Sequence, residues 1–283
     1  MIKVLITGAG GSIASEIARQ IQADLILLNH SELPLVTLQR EIKGIPVVGD
    51  IRDGSRMMEV FKRYRPDVVI HTAALKHVPV CEVHPREAAL TNVIGTVNIH
   101  KACQSVNAKL IHISTDKAVN PNSVYGATKR MAELYLSQFD VKIVRLGNVL
   151  GSSGSVVPLF RKLIAEGKNL TVTHPEVERY FLPVEEAAKF IIETIDKEGS
   201  LFIPNMGTPI RIRDLAERMI KESGKDLRID YIGLRPGEKL KEVLEYKSET
   251  KKDVSQAVID LRTADDYQVL TILKRTLPEY TRD

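Results

Sequence analysis

The stretch ITGAGGSIASEIARQ at residues 6–20 decides the fold. An apolar, β-branched run, IKVLIT (2–7), leads into it. Its second half places Ile13 and Ile17, with Ile21 just beyond, on one helical stripe. Between the two, Gly8, Gly11 and Ala14 hold a G-x-x-G-x-x-G/A spacing. Glycine permits a tight turn and lets backbone N–H groups approach a pyrophosphate at a helix N-terminus. Strand, turn and helix start together make a dinucleotide signal, with Gly8, Gly11, Ser12 and Ile13 as contacts. The same glycines could otherwise serve only as a tight connection.

Outward from this turn, DLILLN (24–29), PVVGD (46–50), DVVIHTA (67–73), KLIHIS (109–114) and VKIVRL (141–146) alternate with helical patterns. Ser31 is placed to cap the helix after the second strand, with Pro34 in its first turn. Strands that are apolar throughout imply a parallel sheet covered on both faces, an α/β doubly wound fold of Rossmann type. Beyond Gly147 the rhythm breaks in GNVLGSSGS (147–155). A helical pattern at 184–196 and a strand-like LFIPN (201–205) point back to the sheet, and further helical patterns cover 213–223 and 264–277. The expected division is a nucleotide-binding domain over 1–146, its sheet rejoined by about 182–205, and a smaller α/β substrate region over 147–181 and 206–283.

Composition narrows the class. The 283 residues are 43% hydrophobic and 27% charged, ordinary for a globular protein. Net charge is +4, from 40 basic and 36 acidic residues, without a basic run interleaved with aromatics, which argues against a nucleic-acid binder. Cys81 and Cys103 are the only cysteines, so a disulfide framework is not expected and the cytoplasm is the simple location. There is no signal-peptide pattern, and no apolar run approaches the roughly 20 residues of a membrane helix.

The second strand ends at Asn29, where an NAD site places Asp or Glu for the adenosine ribose. Asn29 can bind a ribose without repelling a 2′-phosphate, and His30 and Ser31 can welcome that phosphate, so NAD and NADP are both open. Asp50 and Ile51 follow the third strand, in place for the adenine, although Asp50 could equally cap the next helix.

STDKAVNPNSVYGATK (114–129) crowds an acid, two amines and a phenol into one loop and helix start. Tyr125 and Lys129 are four apart and share a helical face. A cation beside a phenol favours the phenolate, which suits proton removal from a sugar hydroxyl as hydride leaves the same carbon. As a bare pattern, Y-x-x-x-K is also a common exposed helix pair. His77, Cys81 and His84 fall at i, i+4 and i+7, a spacing for metal ligands on one helical face. Pro79 and Pro85 break such a helix, and no metal is expected.

Across nearly its whole length the chain resembles the extended short-chain dehydrogenase/reductase superfamily. Within it, the chain resembles nucleotide-sugar 4,6-dehydratases of the polysaccharide-biosynthesis type, which act on UDP-N-acetylglucosamine. The resemblance rests on TGAGGSIASEI (7–17), AALKHVPVCEVHPREAALTNVIGT (73–96), STDKAVNPNSVYGATK, RLGNVLGSSGSVVPLF (145–160), ERYFLPVEEAA (178–188) and GLRPGEKLKE (233–242). Some relatives carry Met at the position of Tyr125.

The resemblance implies a tightly bound NAD or NADP, with a slight lean to NAD. This cofactor takes hydride from C4 of the sugar and, after water is eliminated across C5 and C6, returns it to C6. By position, Tyr125 is then the C4-hydroxyl base, and Lys129 tunes it and holds the nicotinamide ribose. Asp116 protonates the C6 leaving group and Lys117 takes the C5 proton. A lysine base must be largely neutral, which demands desolvation or a nearby positive charge. Thr115 hydrogen-bonds the sugar or orients the phenol, and Asn92 supports the catalytic lysine through water. Ala73, Ala74, Lys76 and His77 line the pocket near nicotinamide and sugar. For the UDP-sugar, Asn148 can donate to the diphosphate or the sugar, the guanidiniums of Arg179 and Arg235 are diphosphate candidates, Glu238 meets the nucleoside ribose, and residues 156–160, with Val157 and Pro158, flank the uracil. Either arginine could instead form a surface ion pair. A homo-oligomer is also implied. A UDP-sugar 4-epimerase, which needs no Asp116–Lys117 pair, and a non-catalytic NAD(P)-binding scaffold are the alternatives.

Overall fold

The computed structural model describes residues 1–246 and the short strand Ala257–Val258. The helical pattern at 264–277 lies outside the described residues. In chain order the strands are β1 (Lys3–Thr7), β2 (Asp24–Asn29), β3 (Ile45–Val48), β4 (Val68–His71), β5 (Lys109–Thr115), β6 (Lys142–Leu146), β7 (Asn148–Leu150), β8 (Leu170–Val172), β9 (Glu178–Arg179), β10 (Phe181–Pro183), β11 (Leu201–Ile203), β12 (Ile210–Arg211), β13 (Ile229–Tyr231) and β14 (Ala257–Val258). The helices are α1 (Ser12–Gln20), α2 (Glu32–Gln39), α3 (Gly54–Tyr64), α4 (Val78–Val83), α5 (Pro85–Ala89), α6 (Gly95–Val106), α7 (Val124–Leu136), α8 (Val156–Ala165), α9 (Val184–Glu193) and α10 (Ile212–Ser223).

Seven strands run parallel in the order β11–β6–β5–β4–β1–β2–β3, and β14 joins the β11 edge antiparallel. The apolar strands follow from burial on both faces. Val4 and Ile6 pack with Ile17 of α1, Leu35 of α2 and Ile191 of α9, while Leu5 between them packs with Phe61 of α3 and Ile99 of α6. This is the doubly wound Rossmann-type arrangement, with β11 bringing the chain back to the sheet.

A smaller lobe sits after β6. There α8 and α10 enclose Phe160, Leu170, Val172, Val177, Ile212 and Ala216, with β8 paired to β13 and β9 to β12. Among the described residues no helix is long and apolar enough to cross a membrane.

The strand order reverses between β1 and β4, and in open α/β sheets ligands bind at such a switch point, beyond the strands' C-terminal ends. Gly8 leaves β1 there with φ +65°, and a Cβ on it would lie 2.9 Å from the Ala73 Cα beyond β4. Only glycine fits both demands. Two local expectations change. Ser31 does precede α2, but its side chain makes no capping hydrogen bond. His77, Cys81 and His84 do not share a helix: His77 precedes α4, Cys81 is buried, and His84 breaks α4 from α5. No group of three metal-type ligands occurs among the described residues.

Candidate active site

β5 ends at Thr115, and the chain turns at once through a 3₁₀ turn, Asp116–Ala118, before α7 begins. The Ser123 hydroxyl caps α7 by accepting from the Gly126 amide at 3.1 Å. A Cβ on Gly126 would stand 2.2 Å from the Lys117 carbonyl oxygen, so the helix start rests directly on the turn. Gly126→Ala is therefore expected to displace Asp116 and Lys117. Overpacking of this kind costs about 1–3 kcal/mol of stability, and an ångström-scale shift at reacting groups about 10²-fold in rate. Urea unfolding and turnover of the variant check both, and wild-type values for both would show that the turn gives way harmlessly.

A cavity of about 1240 Å³ runs along this edge from the glycine turn to the small lobe. Gly8, Gly11, Ser12 and Ile13 line one end, followed by Asn29, His30, Ser31, Asp50 and Ile51. Ala73, Ala74, Lys76 and His77 line the middle, facing Thr115, Lys117, Tyr125 and Lys129. Asn148, Arg179, Arg235, Glu238 and Glu242 line the far end. Across the mouth, Ser12 Oγ accepts from the Ser153 amide at 3.0 Å and Lys76 Nζ donates to the Ser153 carbonyl at 2.9 Å. The glycine cradle, the N-terminus of α1 and the neutral Asn29 at the end of β2 fit a nicotinamide dinucleotide.

The proton-handling groups form one connected set. Lys117 Nζ donates to Asp116 Oδ1 at 2.9 Å and to Asn148 Oδ1 at 3.1 Å, and Glu242 Oε1 stands 3.9 Å away. Asp116 is fully buried behind the wall, and its Oδ2 has no hydrogen-bond partner. Thr115 Oγ1 donates to Asp116 Oδ1 at 2.9 Å and shares a hydrogen bond with the Tyr125 hydroxyl. Burial pushes the Tyr125 phenol well above its ordinary range, and the Asp116 carboxylate adds to that rise against the Thr115 bond.

Several expectations are corrected by these contacts. Lys129 is not aimed at the Tyr125 hydroxyl, where the shared helical face had placed it. Its Nζ turns to His112 Nε2 at 3.0 Å and the Ile113 carbonyl at 2.7 Å, and burial lowers its own pKa to about 7. The ion pairs of Lys117 are with Asp116 and Glu242, so of the two conditions expected for a neutral lysine, a positive neighbour is not among its partners within the described residues. Asn92 is buried away from the wall, inside a single π-helical turn, Leu90–Ile94. Its Oδ1 accepts from the Leu75 amide, and its Nδ2 donates to the Leu75 carbonyl and Thr128 Oγ1. It thus fixes the loop carrying Lys76.

At the sugar end, Arg179 is 5% exposed and spends its fork on backbone. Nη1 donates to the Glu178 and Leu240 carbonyls and Nη2 to the Lys239 carbonyl, clamping the 238–242 segment where diphosphate binding was expected. Glu238 accepts from Thr173 Oγ1 and the Arg235 amide, bracing the turn that presents the exposed Arg235. Val157 and Pro158 are off the wall. α8 starts at Val156, so Ser155 and Val156 face the cavity and the next residues rotate away. Sequence reading missed Glu242, although it closes the quoted GLRPGEKLKE, and His112, whose only signal was a polar residue within a buried strand.

Residues 4–261 match the family described as polysaccharide biosynthesis protein. The capsular polysaccharide biosynthesis protein CapD of Staphylococcus aureus is 42% identical over 271 residues, covering 87% of this chain and 45% of that protein. The chain thus spans less than half of that relative's length. The inverting UDP-N-acetylglucosamine 4,6-dehydratase of Campylobacter jejuni is 34% identical over 267 residues, covering 85% of this chain and 76% of that protein. Among solved structures, the X-ray structure of Pen from Bacillus thuringiensis superposes with a TM-score of 0.83 at 32% identity, covering 93% of this chain and 88% of that one.

Proposed function

The chain belongs to the polysaccharide biosynthesis protein family, and from that premise and its site we propose that it is a nucleotide-sugar 4,6-dehydratase acting on UDP-N-acetylglucosamine. The observation that carries this reading is the Asp116–Lys117 pair, joined at 2.9 Å beside Tyr125. A 4-epimerase needs only a base at the C4 hydroxyl. A second acid–base pair has work only if a proton must also leave C5 and another must reach the C6 oxygen.

The residues divide that work. A bound nicotinamide dinucleotide would accept hydride from C4 and return it to C6. Tyr125 accepts the C4-hydroxyl proton, and Lys129 binds the nicotinamide ribose. The 4-ketone acidifies the C5 proton, which Lys117 takes. Asp116, behind the wall, supplies the proton for the departing C6 oxygen by way of the Thr115 hydroxyl that lines the cavity, and Lys117 returns its proton to C5. Asn148 holds Lys117 in line with the sugar, and Arg235 meets the diphosphate. The ion pair of Asp116 and Lys117 holds the same number of protons as the neutral acid and amine that elimination needs. One transfer along their shared hydrogen bond interconverts the two forms.

NAD is favoured. Asn29 spends its amide on the Ser31 carbonyl, and the Arg52 guanidinium is matched by Asp50 and Glu87, leaving no excess charge from this arginine for a 2′-phosphate. Both cysteines are free thiols, in keeping with a reducing cytoplasm, and a homo-oligomer is part of the same proposal. Incubation with UDP-N-acetylglucosamine, mass spectrometry of the product and identification of the retained dinucleotide test the reading. A product lighter by one water and a retained NAD are expected. A product of unchanged mass would reassign the chain as an epimerase, and cofactor retention with no turnover would make it a scaffold.

A further inference from the structure

The catalytic turn is held from outside. Asp116–Ala118 is a single 3₁₀ turn, so its last carbonyls have no further helical turn to accept from. The chain then leaves through Asn120 at φ +45°, in the left-handed region that few residues other than glycine adopt. Such an exit keeps one shape when its backbone groups are bonded elsewhere. Three of those groups bond to one distant segment, residues 239–246. The Tyr246 hydroxyl donates to the Ala118 carbonyl at 3.1 Å and accepts from the Asn120 amide at 3.0 Å. Lys239 Nζ donates to the Val119 carbonyl at 2.7 Å. Between these two residues Glu242 is buried at the cavity wall, with Oε1 3.9 Å from Lys117 Nζ and Oε2 3.4 Å from Lys239 Nζ. The segment is itself anchored. Arg179 donates to the Lys239 and Leu240 carbonyls, Arg145 Nη1 donates to the Leu244 carbonyl at 2.8 Å, and the Arg130 guanidinium lies 4.5 Å from the centre of the Tyr246 ring. Arg130 and Arg145 in turn share the buried Glu133.

We infer that Tyr246 is a positioning residue for the elimination: its hydroxyl pins the exit of the catalytic turn, and through it the placement of Asp116 and Lys117 against C5 and C6 of the sugar. The step it serves rests on the dehydratase reading, whereas its hold on the turn rests on the hydrogen bonds alone. The groups of the oxidation step are secured independently of that hydroxyl. Tyr125 stands in the first turn of α7, where the Ser123 hydroxyl accepts from the Gly126 amide and Glu82 Oε1 accepts from the Val124 amide at 2.7 Å. Lys129 is tied to β5 through His112 and the Ile113 carbonyl. A loosened exit therefore lets Lys117 drift from C5 while the C4 step keeps its base. The same segment begins just after Arg235 and Glu238, which line the sugar end of the cavity, so the residues that meet the UDP-sugar and those that seat the turn lie on one continuous stretch of chain.

The test is Tyr246→Phe, which keeps the ring against Arg130 and removes the hydroxyl. Two measurements are made on it. In a single turnover with UDP-N-acetylglucosamine, absorbance follows reduction of the retained dinucleotide, and mass spectrometry of the quenched sugar follows loss of water. Oxidation should run at the wild-type rate and water loss should fall by about 10²-fold, the effect of an ångström-scale misplacement of reacting groups. A variant that only weakens the fold would slow both steps alike. Independently of any substrate, hydrogen exchange at the Val119 and Asn120 amides should quicken by about tenfold, from the loss of the hydroxyl's two hydrogen bonds, while the α7 amides keep their wild-type protection. Lys239→Met removes the other side-chain donor to the turn and should show the same split between steps and the same local exchange, which covers the case in which the phenylalanine variant fails to fold. Wild-type exchange at 119–120 in both variants, or equal slowing of oxidation and water loss, overturns the inference. A wild-type product of unchanged mass overturns the dehydratase reading alone, and the exchange result then decides the hold on the turn.

Discussion

Lys117→Arg is expected to let C4 oxidation proceed and to lower water loss by about 10²–10⁴-fold, the contribution of a positioned general base. Arginine keeps a cation beside Asp116, so the buried carboxylate is not left without its partner, but a guanidinium does not give up its proton and cannot accept one from C5. The reduced nicotinamide should therefore build up with a 4-keto sugar and stay. Single-turnover absorbance reports the first step, and mass spectrometry of the quenched sugar reports the second. Equal losses in both steps would show that Lys117 only holds the turn in shape.

Glu133→Gln should be the most damaging single change to folding, at about 3–5 kcal/mol. Glu133 is fully buried on α7 and accepts from Arg130 Nη1 at 3.0 Å and from Arg145 Nε and Nη2 at 3.1 and 2.8 Å. It also accepts from Ser114 Oγ at 2.6 Å, one residue before Thr115. One carboxylate thus ties α7, β5 and β6 together under the catalytic turn. Replacing it by an amide leaves two enclosed guanidiniums without their shared counter-charge. Urea unfolding should show a lower midpoint with an unchanged slope. Burial alone would raise the Glu133 pKa, but Arg145 and Arg130 outweigh it and hold the group below its ordinary 4.5. The stability it contributes is therefore fully present above that value and lost as pH falls through the lower folded-state value. The variant should lack that acid-side loss, and a wild-type midpoint and acid profile would contradict this role.

The fold was legible where each residue's reason is local. The strands read correctly because both faces of the sheet are covered, so Val4, Leu5 and Ile6 are all apolar for the same cause. The glycine turn read correctly because Gly8 meets a backbone demand that sequence spacing can show. The site was legible as a set of residue types but less so as directions. Tyr125 and Lys129 share a helical face, yet the amine points to β5, since His112 and the Ile113 carbonyl accept from it there. Arg179 looks like a phosphate ligand until the 239–240 backbone folds across it. In each case the deciding partner comes from a distant segment, which spacing along the chain cannot supply.

The most direct measurement starts from UDP-N-acetylglucosamine carrying deuterium at C4. Turnover on the retained dinucleotide should move that deuterium to C6 of a product that has lost one water, with no exchange of the label into solvent. Deuterium found back at C4 in a product of unchanged mass would show that Asp116 and Lys117 eliminate nothing.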